Sequence, residues 1–124
     1  MTGAVVKNEI LKEFYTDEKC FITEVLNKEG YPALSVARAR VTPGVTTMTH
    51  RLKDTDEMYY ILSGTGEVEI DGKRLGMVKE HDLVFIPAGE DQRIKNTSDH
   101  DLVFLCICSP RFEAKNYEQS SVVG

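Results

Sequence analysis

The chain has 124 residues and a formal net charge of −5. That length suits one domain, and the charge speaks against nucleic acid or an anionic membrane as partner, because phosphate binding needs a basic face. Apolar residues at 41% and charged residues at 28% allow one modest core, since a chain of this size buries roughly two-thirds of its unfolded surface.

No apolar run nears the ~20 residues of a membrane span. "MTGAVVKNEI" lacks the charged-then-apolar pattern of a signal peptide. The expectation is a cytoplasmic protein with no membrane partner.

In chain order, "NEILKEFYTD" pairs Ile10 and Leu11 with Phe14 and Tyr15. That spacing fits a short amphipathic helix capped at Asn8, and equally an irregular strand. From Glu18 onward the pattern is β. "CFITEVLN", "ALSVARARV", "EMYYILSG", "GEVEIDG", "KRLGMV", "DLVFIPAG", "QRIKNT" and "DLVFLCIC" are short and rich in β-branched and aromatic residues, and most are bounded by Gly, Pro, Asn or Asp. Asp71-Gly72 in "EIDGKR" is a strong hairpin signal. About eight short strands with a turn every ~8–12 residues predict a β-sandwich or barrel.

"DLVFIP" and "DLVFLCIC" are apolar at both parities. A strand with one face in water should alternate, so a terminal segment or a second subunit is expected to cover their outer side. The tail "RFEAKNYEQSSVVG" is polar and reads as surface-wrapping or frayed. Three cysteines, Cys20, Cys106 and Cys108, are an odd count that argues against a disulfide framework. Cys106 and Cys108 share a strand face and read as small apolar core residues, with a metal or redox role as the alternative.

The stretch "GVTTMTHRLKDTDEMYYILSG" reads as two strands joined by "KDTD". Alternation puts His50 and Leu52 on one face, and Glu57, Tyr59 and Ile61 on one face of the next strand. In "VFIPAGEDQRIKN" the same alternation groups Gln92 with Ile94.

These two stretches resemble the cupin motifs. The first motif is Gly, five residues, His-x-His, three or four residues, Glu, six residues, Gly. It corresponds here to Gly44, His50, Leu52 in the second histidine's place, Glu57 and Gly64. The second is Gly, five residues, Pro-x-Gly, two residues, His, three residues, Asn, and corresponds to His81 in the first glycine's place, Pro87, Gly89, Gln92 in the histidine's place, and Asn96. Together they cover about residues 33–110 of what reads as a single cupin domain over 1–124. The fragments "HRL", "QRI" and "CSPRF" are similar to a group of small cupins labelled sugar-phosphate-isomerase-like, of unassigned activity.

The resemblance implies an all-β double-stranded β-helix, or jelly roll, with the motif residues pointing into the barrel. It also implies a divalent metal (Mn, Fe, Ni or Zn), for which His50, Glu57 and Gln92 are the candidate donors. With leucine and glutamine at two histidine positions the site would be weak or atypical, because it falls below three strong ligands. Without metal, His50 and Glu57 would hydrogen-bond each other.

The candidate catalytic residues are Glu57, Arg40 and Tyr59. Arg40 occupies a place where some cupin decarboxylases carry a pocket arginine, so an inward Arg40, with Arg38 on its face, would be an ion-pair partner of Glu57 or a clamp for an anion. The candidate ligand contacts are His50, Leu52, Gln92 and Ile94. Arg93 should face outward, and His81 and His100 should be exposed.

Three functions remain open at this level. One is a metal-dependent isomerase, cyclase, decarboxylase or dioxygenase acting on a small, anionic or sugar-like molecule. The others are a metal-free ligand-binding or sensor module and an interaction scaffold. The partner expected in each case is a second copy of the chain.

Overall fold

The computed structural model describes residues 3–9 and 12–120. Its strands are β1 (Phe14–Tyr15), β2 (Phe21–Leu26), β3 (Ser35–Val41), β4 (His50–Leu52), β5 (Asp56–Ser63), β6 (Gly66–Ile70), β7 (Lys73–Val78), β8 (Leu83–Ile86), β9 (Gln92–Asn96), β10 (Leu102–Ser109) and β11 (Tyr117–Gln119). They form two antiparallel sheets, ordered β1-β2-β3-β10-β5-β8 and β11-β4-β9-β6-β7. This is the expected all-β jelly roll. The helix-or-strand alternative at residues 8–15 resolves at Phe14–Tyr15 as a strand paired with β2, and Ile10 and Leu11 lie outside the described residues. The polar tail wraps back onto the surface, where β11 pairs with β4.

Alternation selects what enters the barrel. Glu57, Tyr59 and Ile61 are the buried positions of β5, and Gln92, Ile94 and Asn96 those of β9. Val41, Ile61, Val68, Ile86, Ile94 and Leu102 are at most 1% exposed and fill the interior as an apolar core. The Asp71-Gly72 hairpin forms as expected, with both residues at positive φ, 50° and 77°, which a type I′ turn requires. Asn96 shows what the second motif's asparagine does. Its amide donates to the Val41 and His100 carbonyls at 2.9 and 2.7 Å, and its oxygen accepts from the Ser98 amide at 2.8 Å, so it pins the turn between β9 and β10.

Gly64 closes β5 at φ +88°, where a Cβ would sit 2.8 Å from the Asp101 carbonyl oxygen and 3.0 Å from Leu102 Cα. Both obstacles are backbone, and the conformation disfavours any side chain. Gly64→Ala should therefore cost more than about 2 kcal/mol, read as a lower chemical-denaturation midpoint. A change within about 0.5 kcal/mol would mean that the turn rearranges freely.

Across β10, β5 and β8 the outer face of the first sheet is apolar and partly open. Leu105, Tyr60 and Leu83 form one cross-strand row, and Ile107, Met58 and Phe85 another. Leu83 and Phe85 are each 53% exposed. Among the described residues no helix is long and apolar enough to cross a membrane.

Candidate functional site

Residues from both sheets line a cavity of about 180 Å³ at one end of the barrel. Two inner rows of the first sheet build one wall: Ser35, Cys108 and Glu57, and Ala37, Cys106 and Tyr59. From the second sheet, His50 pairs with Gln92, and Leu52 and Ile94 add apolar surface. The sequence-predicted residues His50, Leu52, Glu57, Tyr59 and Ile94 therefore line one cavity, and Gln92 bonds into it.

Two further side chains, absent from the motifs, complete the site. Glu18, in the turn before β2, lines the cavity and approaches the His50 ring, with Oε2 at 3.2 Å from Nδ1. Tyr117, from β11, lies nearly parallel to the imidazole, with ring centroids 5.2 Å apart at 21°. Neither carries a sequence signal. Glu18 sits in a polar turn and Tyr117 in a polar tail, and each reaches the site only through long-range pairing.

The hydrogen bonds set the chemistry. His50 Nδ1 also lies 3.1 Å from the Met48 carbonyl oxygen. Both neighbours are acceptors, so Nδ1 carries the hydrogen and Nε2 is left for the cavity. The expected His50–Glu57 hydrogen bond is thus replaced by a Glu18–His50 pair.

Glu57 is 7% exposed. Burial pushes its pKa up to about 7, against the opposing pull of His50. Gln92 and Cys106, close to the carboxyl, pull slightly in the same direction as His50, and Oε1 has no hydrogen-bond partner among the described residues. Buried acceptors are rarely left in that state. Burial also raises the Glu18 pKa, and raises that of the Tyr59 phenol strongly. The Tyr59 hydroxyl donates to Gln92 Oε1, and its ring packs 4.7 Å from Phe104. Cys20, Cys106 and Cys108 all line the cavity and are free. Burial holds each thiol protonated, with Cys20 pushed up to about 11.

The donor set does not fit a tightly held metal. Gln92 would have to offer its oxygen, which is already taken by Tyr59, and Leu52 offers nothing. That leaves His50 Nε2 and Glu57, one short of a three-ligand site. Among the described residues no three His, Cys, Asp or Glu side chains converge to hold an ion.

Arg40 requires a correction. The parity that sends Ala39 and Val41 into the core turns Arg38 and Arg40 outward. There Arg40 bonds Glu13 at 2.7 Å and Asp101 at 3.1 Å, with its guanidinium 4.2 Å from the Phe21 ring centre, and Arg38 reaches Glu13 at 3.4 Å. Arg40 is a structural cation of the outer face and does not enter the cavity. Arg93 faces outward and pairs with Glu69, and His81 and His100 are exposed, all as expected.

Residues 37–108 match the Cupin domain family, and the chain belongs to it. It is 30% identical over 122 residues to an uncharacterised protein of Methanocaldococcus jannaschii, covering 95% of this chain and 97% of that one. It is 34% identical over 114 residues to the oxalate-binding protein of Thermotoga maritima, covering 86% and 93% respectively. Among solved structures it resembles a nucleoside dehydratase of Streptomyces with a TM-score of 0.79 at 14% identity, covering 98% of this chain and 95% of that one. At that identity the likeness concerns the fold alone.

Proposed function

We propose that this cupin is an acid–base enzyme that moves a proton on a small organic molecule without a resident metal. The observation that carries this reading is the Glu18–His50 pair. A carboxylate 3.2 Å from Nδ1 fixes the tautomer and stabilises the imidazolium that forms when Nε2 takes a proton, as the acid does in a carboxylate–histidine dyad. Glu57 offers its unpartnered oxygen to a donor on the ligand, and the stacked Tyr117 limits rotation of the His50 ring. Proton transfer of this kind serves isomerisations and eliminations. The Streptomyces neighbour is named as a dehydratase, so elimination chemistry is known on a barrel of this shape.

The test is proton exchange into, or elimination from, a panel of small hydroxylated and carbonyl compounds, followed by NMR in heavy water. The expected result is turnover that chelator leaves unchanged, falls at least ~100-fold in His50→Gln and less in Glu18→Gln. Turnover that vanishes with chelator and returns with Mn or Zn would contradict it, as would full activity in His50→Gln. Cavity binding with no turnover would make the protein a ligand-binding module.

We also propose that the open apolar face of Met58, Leu83, Phe85 and Ile107 pairs with the same face of a second copy. A two-fold contact of this kind is the commonest closed assembly. Light scattering should give a dimer mass at micromolar concentration, and Phe85→Glu should shift it toward monomer. A monomeric wild type would contradict the pairing.

A further inference from the structure

We infer that the cavity is built for a small protonated amine, which donates an N–H to Glu57 Oε1 and rests its charge on the surrounding aromatic rings. This rests on the reading that the cavity is the ligand site, and it names the class of ligand.

Charge is the first ground. Glu18, Glu24 and Glu57 line the cavity, and among the described residues no lysine or arginine does. The two arginines nearest in sequence to a clamp, Arg38 and Arg40, are bonded on the outer face. A carboxylate ligand would therefore bring like charge toward the buried Glu57 and the half-buried Glu18, with no lysine or arginine to offset it. Oxalate, named for the Thermotoga relative, is the worst fit of all, because it is a dianion.

The second ground is independent of the first. Glu57 is more than nine-tenths buried, lines the cavity, and leaves Oε1 unpartnered. An acceptor in that state is satisfied by a donor from the ligand, and most strongly by a charged one. The third ground is the lining itself. Tyr59 and Phe104 pack together in the wall, and Tyr117 stacks on His50 at its edge. Aromatic faces attract a desolvated ammonium, whereas they give nothing to an anion. The three protonated thiols add polarisable, uncharged surface beside them.

The experiment is a set of NMR titrations of isotopically labelled wild type with isopentylamine, isopentyl alcohol and oxalate, repeated on Glu57→Gln. The first two probes share a carbon skeleton and differ in charge. The amine should shift the amide signals of Glu57, Tyr59 and Cys106 and bind at least tenfold tighter than the alcohol. Oxalate should leave these signals in place. Glu57→Gln should weaken the amine at least tenfold and the alcohol far less. Equal affinity for amine and alcohol at those signals would overturn the amine inference and leave the cavity as ligand site, and tighter binding of oxalate would do the same. Absence of any amine binding would overturn the inference outright. Shifts confined to signals elsewhere in the protein would overturn both readings.

Discussion

Glu57→Gln should stabilise the protein at pH 8 by up to about 3 kcal/mol. The native carboxyl titrates at about 7, raised from an ordinary 4.5 by burial. Below about pH 4.5 both folded and unfolded chains hold this proton, and the group's contribution is fully present. Between about 4.5 and 7 the unfolded chain gives it up while the native chain keeps it. Stability must therefore fall as pH rises through that window, and the loss is complete above about 7. Glu18, also raised by burial, adds to the slope in the same direction. Glutamine has no proton to lose, so the variant's stability should vary less with pH, with the largest gain at pH 8. Urea melts at pH 4.5, 6 and 8 on both proteins would show it. A wild type that grows more stable across this window would mean that Glu57 is paired and charged in the native state. Stabilisation on losing the carboxylate would also show that it is retained for function at a cost to the fold.

Leu52→His should convert a poor metal site into a serviceable one. Leu52 is 3% exposed, lies two residues from His50 on β4, and lines the same cavity. The introduced imidazole would join His50 and Glu57 as a third strong donor. Affinity for Mn or Zn should rise more than tenfold, or more than ~1.4 kcal/mol, by titration calorimetry. The wild type should bind weakly, and His50→Ala should abolish what remains. Tight wild-type binding that survives His50→Ala would place the ion elsewhere, for instance at Cys106 and Cys108. An unchanged affinity in Leu52→His would show that the cavity cannot bring the three donors together.

Much of this was legible in the sequence, because period-two alternation on β5 and β9 assigns each side chain to a face before the partner strands are known. Glu57, Tyr59, Gln92 and Ile94 follow from it directly, and the glycine and asparagine of the motifs announce the Gly64 and Asn96 turns. On β3 the same alternation overrides the resemblance that places Arg40 in the pocket. Ala37, Ala39 and Val41 already claim the interior, so Arg38 and Arg40 have to face out, as they do. What sequence could not supply were contacts made by register between distant segments. Glu18 meets His50 across the barrel mouth. Tyr117 arrives because the tail pairs with β4, with Tyr117 opposite Leu52. A polar turn and a polar tail look the same whether or not they close a site.

The proposed metal-free site is checked most directly by elemental analysis of the protein purified without an affinity tag from cells grown in metal-replete medium. The expected result is Mn, Fe, Ni and Zn each well below about one-tenth per chain, since two donors are too few to carry an ion through purification. A stoichiometric metal, near one per chain and lost in His50→Ala, would contradict it.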